Sequence, residues 1–347
     1  MTRTVEIRFK VIRNGGDFCE LYAMPDSSPQ LRMDDAGEIK TSLHGDFIPA
    51  EGVNWLSDEI RPELWIDGEA FPLGVFLPAT VKEQEDETQR YLSVDAYDHC
   101  WRVQDTRTAS LLRIAAGTKY IDAVQALLVE AGVRTAAITP SSATLPEDRE
   151  GWELGTSYLD IINQLLSEIN YNLLWFNNQG AAVLEPSVTP SARYIDHTLD
   201  SAEVESLLIP AFAKETDAFQ APNVFICVCS NPDKDEPLVA TSENTNPTSP
   251  LSIARRGRRI CALETVENIA SQADLQTYAD RLRDQSQFTG ETITVQTGLL
   301  PGFGVADVTA LHYGELAAIC IERGWTMDLV TGGTMTHRLE RVVVEYG

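Results

Sequence analysis

The first hundred residues of this chain alternate apolar and polar side chains with a period of two. Val5, Ile7 and Phe9 belong to the apolar set, and charged residues separate them. This period places every second side chain on the same face of an extended strand, so one face is buried and the other is wet. Glycine-containing turns at residues 14–16 and 67–68 predict hairpins. We therefore expect β-sheet here, with the polar segment 82–90 as a loop between strands.

The hydrophobic period changes near Thr106. The segment 120–131 carries an apolar stripe with helical spacing and ends before Gly132. Ser157, followed by an aspartate three residues on, predicts the N-cap of a second helix. The β pattern returns at Asn223, and Ser271 begins a third helix. The residues alone thus predict an α+β, mainly β fold with a small α+β unit between two β-rich regions, and an exposed loop over the Asn-, Asp-, Pro- and Ser-rich segment 230–250.

The acidic balance of the chain limits the partners that it is expected to bind. Its 347 residues include 52 Asp and Glu against 27 Lys and Arg, for a formal net charge of −25. Such a chain is poorly suited to neutralising the phosphates of nucleic acid or to binding an anionic membrane. A length of 347 residues favours two or three domains.

No targeting or membrane-spanning segment is recognisable in the sequence. The amino terminus lacks the apolar stretch of a secretion signal, and the longest apolar run, residues 224–229, is far shorter than a spanning helix. The six cysteines are scattered and do not indicate a disulfide framework. We therefore expect a soluble protein that is made in the cytoplasm.

Few motifs point to catalysis, to a metal or to a cofactor. Cys227 and Cys229 share a strand face, and a metal pair completed by Cys261 is a weaker interpretation than small buried side chains. His99 and Cys100 adjoin on a predicted strand, so they point to opposite faces and are not expected to act as base and nucleophile. The sequence predicts no catalytic, cofactor-binding or metal-binding residue and no cofactor. The other histidines lie in no ligand spacing and are expected at surface or half-buried positions: His44, His197, His312 and His337.

An acidic cluster around Trp152 supports an alternative in which the chain is an enzyme. Glu147, Asp148, Glu150 and Glu153 surround this residue in the sequence. Two carboxyl groups, one with its pKa raised against an apolar ring, are the groups that cleave glycosidic bonds. The simpler interpretation is a solvated acidic loop that leads into the second helix, because charge runs usually mark solvated faces.

Arg255, Arg256, Arg258 and Arg259 form the one basic cluster of the sequence. A nucleic-acid patch would need aromatic neighbours and more basic residues. Two other interpretations stay open, a solvated turn and a contact with the acidic surface of another subunit. Guanidinium groups pair with carboxylates as two-pronged forks, so these four arginines are the candidate subunit contacts.

Four sets of segments carry a resemblance to a known family. They are residues 54–62 with 72–77, residues 94–98 with 116–124, residues 223–225 with 246–253 and 255–258, and the helical segment 272–283. Their order and spacing along nearly the whole chain, more than any single motif, resemble the hub proteins of phage tails. The resemblance is to hubs encoded by phages and prophages of Gram-positive bacteria in particular.

The resemblance implies a structural protein of the tail tip or baseplate and not an enzyme. Hubs of this kind place two β-barrel modules per chain in a trimeric ring that continues the sixfold tail tube, with the α+β unit outside. Residues 1–107 would form the first β-barrel-like hub domain, residues 108–192 the α+β domain, and residues 193–347 a second β-barrel-like domain with one helix. Some relatives carry a wall-degrading extension, and this sequence ends at Gly347 without one, so lytic activity is not expected.

The implied partners are further copies of the chain in a homotrimer, the tail tube or distal tail protein, the tape measure protein and a central spike or tip protein. The implied location is the virion tail, after synthesis in the host cytoplasm. DNA would pass through the ring without specific binding, because acidic walls repel phosphate. Two alternatives stay open: a tail-associated peptidoglycan or glycan hydrolase with carboxylates near Trp152, and a carbohydrate-binding adhesion module that exposes aromatic residues such as Trp152 and Trp175.

Overall fold

A computed structural model describes residues 3–85, 90–188, 195–216, 221–229, 237–266, 269, 271–286 and 291–342. The fold is mainly β, with 45% of the chain in strands and 15% in helices. The mainly β prediction from the sequence is therefore confirmed. Within the described ranges, no helix has the length and hydrophobicity that crossing a membrane requires.

The amino-terminal region is built from the strands β1 (Val5–Arg13), β2 (Gly16–Leu21), β3 (Gln30–Asp34), β4 (Thr41–Phe47), β5 (Glu59–Ile66), β6 (Glu69–Pro72), β7 (Leu77–Glu85) and β8 (Arg90–Tyr97). Four of them form a sheet in the order β2-β1-β5-β6. Hairpins join β1 to β2 and β5 to β6, as the turn sequences predict. In the first of these turns Asn14 and Gly15 have positive φ angles of 52° and 80°, a conformation that asparagine and glycine favour.

The polar segment that begins at residue 82 is largely a strand. β7 continues through Lys82 to Glu85 and pairs with β8, where Glu85 lies opposite Arg90. The prediction of a loop is therefore wrong for residues 82–85 and for Arg90, and residues 86–89 lie outside the described part of the chain. Many β7 side chains are exposed, so backbone pairing with β8, and not burial of side chains, holds this segment in the sheet.

An α+β unit follows, with the elements α1 (His99–Asp105), α2 (Tyr120–Glu130), β9 (Ala136–Ile138), α3 (Tyr158–Glu168), β10 (Trp175–Phe176) and β11 (Ala182–Leu184). Its strands form a sheet in the order β10-β11-β9, and its hydrophobic core is distinct from that of the other sheets. Ser157 caps α3, because its Oγ accepts a hydrogen bond from the Asp160 amide at 3.1 Å. The two helices predicted in this unit are confirmed.

The remaining elements are β12 (His197–Asp200), β13 (Leu208–Thr216), β14 (Val224–Cys229), β15 (Leu238–Glu243), α4 (Ile253–Arg256), β16 (Cys261–Val266), α5 (Gln272–Ser286), β17 (Glu291–Gly298), β18 (Val308–Tyr313), β19 (Leu316–Asp328) and β20 (Thr334–Arg341). Thr216 at the end of β13 lies opposite Glu291 at the start of β17. The residues between them are therefore an insertion at the end of a hairpin, which we call the inserted module.

The inserted module is a three-stranded sheet, ordered β15-β14-β16, with α5 packed on one face. The helix predicted from Ser271 is confirmed as α5. The loop predicted over 230–250 is wrong at residues 238–243, which form β15. Residues 230–236 lie outside the described ranges. Pairing with β14 explains the strand, because it supplies backbone partners to a segment whose composition favours turns.

One ten-stranded sheet joins the two β regions. Its path runs β13-β17-β20-β19-β3-β4-β8-β7, with β18 and β12 attached through β19. At the junction of the two regions, Trp325 of β19 lies opposite Met33 of β3. One hydrophobic core contains Phe47 from the first region and Leu339 from the last. The first and last regions therefore pack together, while the division at residues 107 and 192 and the closure of barrels stay predictions.

Candidate interaction site

The four arginines singled out in the sequence lie on one turn of the inserted module. Ser252 begins the short helix α4, and its hydroxyl accepts a hydrogen bond from the Arg255 amide at 3.3 Å. Gly257 ends the helix with a φ of 62°, a left-handed conformation that glycine adopts without strain. The chain then enters β16 at Cys261. We call residues 255–259 the arginine turn.

A fully buried amide side chain holds the arginine turn in place. Asn223 donates from Nδ2 to the backbone oxygens of Leu251 at 3.2 Å and of Arg258 at 3.0 Å. Its Oδ1 accepts a hydrogen bond from the Ile260 amide at 2.8 Å. Both donors and the acceptor of this amide are therefore used. A satisfied buried polar group of this kind favours a single backbone arrangement.

A second group of polar side chains shapes the approach to the turn. Asn244 donates to Ser249 Oγ at 3.0 Å, and its backbone oxygen accepts from the Ile253 amide at 3.1 Å. Asn246 Oδ1 accepts from both the amide and the hydroxyl of Thr248, at 2.9 and 2.6 Å. Residues 244–250 are thus a compact turn held by buried polar side chains.

Two of the arginines anchor the turn to its surroundings. Arg256 is half-buried and donates to the backbone oxygen of Ala221 at 2.5 Å. Arg259 forms an ion pair with Glu243 on β15. These contacts fix the two ends of the turn against the module.

The other two arginines face outward. Arg255 is exposed, and its Nε donates to the backbone oxygen of Pro247 at 3.1 Å. Arg258 is exposed, and its guanidinium makes no hydrogen bond or ion pair with the residues that the structure describes. Most of the donors on these two side chains are therefore presented to the outside. The use of the four arginines as a subunit contact stays a prediction.

One face of the inserted sheet carries apolar side chains that are not covered. The cysteines of β14 are buried against α5, whereas Ile226 and Val228 lie on the opposite face. Val239 of β15 lies opposite Val228, and Leu263 of β16 lies beside Ile226. Val239 and Leu263 are 49% and 67% exposed. We call these four residues the uncovered face, which sequence reasoning did not identify.

Cys227 and Cys229 share a buried face, in agreement with the favoured sequence interpretation. Burial raises the pKa of the Cys227 thiol to about 11, so this thiol stays protonated at neutral pH. Cys261 is exposed and lies opposite Val224, so it points to the other face of the sheet. These three cysteines do not come together, and the described residues contain no cluster of three His, Cys, Asp or Glu side chains suited to a metal.

Two histidines contact the same phenylalanine ring, an arrangement that their spacing in the sequence does not indicate. The rings of His197 and Phe303 stack with centroids 3.8 Å apart, and His337 lies 4.8 Å from the same phenyl ring. His197 bonds Asp307 at 2.8 Å, and His337 bonds Glu322 at 2.9 Å. Burial raises the pKa of the Glu322 carboxyl, against the effect of the histidine. The surface or half-buried prediction is wrong for His337, which is fully buried because polar partners satisfy both ring nitrogens.

A cavity of about 780 Å³ lies where the α+β unit, the inserted module and the two β regions meet. Lys40, Trp175, Arg281 and Asp307 are among the residues that line it. Arg281 lies over the ring of Tyr278 at 4.9 Å, and burial lowers the pKa of its guanidinium. The lining carries charges of both signs, so the cavity has no clear preference for an anionic or a cationic ligand.

Solved structures of other proteins share this fold over nearly its whole length. A tail protein from Neisseria meningitidis has a TM-score of 0.66 at 14% sequence identity, with 97% of this chain and 96% of that chain covered. The 43 kDa tail protein of prophage MuSo2 from Shewanella oneidensis has a TM-score of 0.68 at 10% identity, with 97% and 98% covered. The chain has the fold of phage tail proteins. The origin in phages of Gram-positive bacteria stays a prediction.

The tail-protein fold also occurs in a secretion machine. An Escherichia coli component of the type VI secretion system, described as structurally similar to the bacteriophage T4 tail proteins gp27 and gp5, has a TM-score of 0.53 at 8% identity. The match covers 100% of this chain and 76% of that chain. Neither a protein-family model nor a curated protein matches the chain.

Within this tail-protein fold, Asp148 near Trp152 does not have the raised pKa of a glycosidase general acid. Asp148 accepts hydrogen bonds from the Ala116 amide at 2.7 Å and from Arg113 at 2.5 Å, and these contacts lower the pKa of its carboxyl. A general acid needs a raised pKa, so Asp148 is shifted in the wrong direction. Glu150 binds the same arginine at 3.0 Å. The acidic segment is thus organised by a surface ion-pair network.

Trp152 and Trp175 are both half-buried. Trp152 donates from its ring nitrogen to Gln164 at 2.8 Å and packs against the core of the α+β unit. Trp175 lines the cavity, and its ring nitrogen is buried. A platform for sugar stacking needs an exposed ring face, so this placement does not favour an adhesion module.

His99 and Cys100 lie on helix α1 and not on a strand, which corrects the sequence prediction. Asp98 begins this helix by accepting a hydrogen bond from the Cys100 amide at 2.8 Å. Burial raises the pKa of the Cys100 thiol well above its usual value. His99 instead contacts Glu59 at 3.2 Å, where Arg102 also binds at 2.8 Å. The histidine and the cysteine therefore take part in separate structural contacts.

Proposed function

We propose that this chain is a structural hub protein of a phage tail tip or baseplate, and that three copies form a ring. The ring joins the tail tube to a tip or spike and lets DNA pass. The observation that carries the proposal is the match to phage tail proteins over 97% of this chain and 96–98% of theirs. Because a fold does not by itself fix a function, edge strands and charge supply the further support.

A position at the hub is supported by the type VI secretion component. That protein is described as similar to two T4 tail proteins at once, gp27 and gp5, and its match covers the whole of this chain. We infer that this chain takes the corresponding place in a tail, next to a central spike or tip protein.

The two ends of the ten-stranded sheet support an oligomer. Among the described residues, β7 and β13 each pair with a strand on one side only. An unpaired edge strand is a template for pairing with another chain, and native proteins usually cover it. β13 also leaves the ring of Phe212 44% exposed. Three copies that cover one another's edges would bury these strands and close a ring.

The charge of the chain fits a conduit for DNA. A ring of three chains would carry three times −25, a formal charge of −75. Acidic walls repel phosphate and carry no excess of basic side chains that would displace the counterions of DNA. DNA can therefore pass without being held. We include the tail tube or distal tail protein and the tape measure protein among the partners, and the virion tail as the location after synthesis in the host cytoplasm.

The purified full-length protein tests this proposal. A trimer would have a mass of three times 38.3 kDa, about 115 kDa, by light scattering after size-exclusion chromatography. Negative-stain images would show threefold rings with a central hole. A monomer at high concentration would overturn the ring. Hydrolysis of peptidoglycan that is lost in Glu153→Gln would instead favour the enzyme alternative.

A further inference from the structure

The arginine turn and the uncovered face form one continuous surface. Arg259 precedes Cys261 by two residues, and side chains two apart on an extended chain share a face. Arg259 forms an ion pair with Glu243. Glu243 of β15 and Cys261 of β16 both lie opposite Val224, on the two sides of β14. The arginine turn is therefore at one end of the uncovered face. The uncovered face therefore lies next to the arginine turn, in which Arg255 and Arg258 are exposed.

A turn in another part of the chain has the opposite character. Glu203, Val204 and Glu205 are all exposed, and Val204 is fully exposed. The Ser206 amide donates to the Glu203 backbone oxygen at 3.2 Å, and the Ala202 amide is held by an aspartate side chain at 2.8 Å. This turn thus holds one apolar side chain outward between two carboxylates. We call residues 203–205 the glutamate turn.

Strand β13 separates the two surfaces within one copy. The glutamate turn precedes β13 at Leu208, and the inserted module follows the other end of β13 at Thr216. The eight residue spacings from Leu208 to Thr216 span roughly 25 Å along an extended strand. The arginine turn lies close to the entry of the module, because Arg256 binds the backbone of Ala221. Two different surfaces at the two ends of one strand can form a head-to-tail contact between copies, and such contacts form a ring when the rotation from one copy to the next closes.

We propose that the arginine turn and the uncovered face of one copy receive the glutamate turn of the next copy in the ring. The carboxylates of Glu203 and Glu205 pair with Arg255 and Arg258, and Val204 packs on the uncovered face. Charge complementarity favours a second copy as the occupant, because the chain carries 25 more acidic than basic residues and the arginine turn is its one basic cluster. This inference rests on the ring proposed above and adds a second contact between neighbouring copies, besides the strand edges.

Charge reversal tests the contact on both sides. The variant Arg255→Glu with Arg258→Glu should weaken self-association about a hundredfold, because like charges then face one another. The variant Glu203→Lys with Glu205→Lys should do the same from the other side. The four substitutions together in one chain should restore the ring. Association is followed by light scattering across a dilution series, and circular dichroism melts check that each variant is folded.

A matched control reverses two exposed arginines outside this surface, Arg32→Glu with Arg134→Glu, and should leave association unchanged. A wild-type ring that survives Arg255→Glu with Arg258→Glu would overturn this contact and leave the proposed function intact. Loss of the ring in both double variants without restoration in the fourfold variant would show that the arginine turn meets a different surface, which also overturns the pairing. A monomeric wild type would overturn the proposed function itself. As a second readout, Leu263→Ser should weaken association without unfolding the single copy, because this side chain is exposed there.

Discussion

Replacing Asn223 with alanine should loosen the arginine turn while the large sheet stays folded. The side chain is fully buried, and its amide makes three hydrogen bonds of 2.8 to 3.2 Å to backbone groups of Leu251, Arg258 and Ile260. Alanine keeps the backbone of the strand entry but supplies none of these bonds. Two carbonyl groups and one amide group are then left without their partner in a buried site.

The magnitude follows from the number of bonds. Each net hydrogen bond contributes about 1 kcal/mol, and a buried group that loses its partner costs about 1–3 kcal/mol. Three bonds therefore give a destabilisation of about 3 kcal/mol for the closed turn. Because about 1.4 kcal/mol is a factor of ten in an equilibrium constant, local opening should become about a hundredfold more frequent.

Hydrogen exchange followed by mass spectrometry measures this opening directly. Peptides that cover residues 244–260 should exchange about a hundredfold faster in Asn223→Ala, while peptides from β17 to β20 serve as the internal reference. Asn223→Asp is the matched variant, because it keeps an acceptor for the Ile260 amide but loses both donors. Its carboxyl would face two carbonyl oxygens, so protection should improve as the pH is lowered and the carboxyl is protonated. Exchange in Asn223→Ala within threefold of the wild type would refute the reasoning.

Three buried or exposed groups give further predictions. Arg149→Met should lower the free energy of unfolding in urea by about 3–5 kcal/mol, because it removes the guanidinium from an ion pair with Glu168 whose side chains are only 5–6% exposed. Replacing both residues should recover most of the loss. Burial alone would raise the pKa of Glu59, but its histidine and arginine partners outweigh burial and lower this pKa. The stability that the Glu59 carboxylate contributes is therefore present above its ordinary pKa of about 4.3 and is lost as the pH falls through the lowered pKa. Acid melts of Glu59→Gln should show a weaker pH dependence than those of the wild type. Maleimide should label the exposed Cys261 first at neutral pH, and labelling of Cys227 at the same rate would contradict its burial and its pKa of about 11.

Local features of the fold are predictable from the sequence because their causes are local. The first hairpin needs two residues that accept positive φ, and Asn14 and Gly15 supply them. Helix α3 needs an acceptor for its free amide groups, and Ser157 supplies one at the predicted position. Such features depend on a few neighbouring residues, so pattern and position are sufficient.

Features that depend on distant partners are not predictable in this way. β19 pairs with β3 across nearly 300 residues, and nothing in either segment specifies the other. The segment from Lys82 to Glu85 is polar enough to be a loop and becomes a strand only because β8 supplies backbone partners. His197 and His337 reach the same phenyl ring from different strands. In each case the contact partner, and not the residue itself, decides the structure.

The run Val224–Cys229 connects the sequence pattern to the assembly. A strand that is apolar at every position is typical of burial on both faces. In this chain one face is buried against α5. On the other face Val224 is buried as well, while Ile226 and Val228 are only half-buried beside the exposed Leu263. The composition of the strand therefore favours a fuller burial of this face than a single copy provides. A neighbouring subunit that covers this face would supply the missing burial. This gain in burial favours the proposed ring contact at this face over one at the polar face of another sheet.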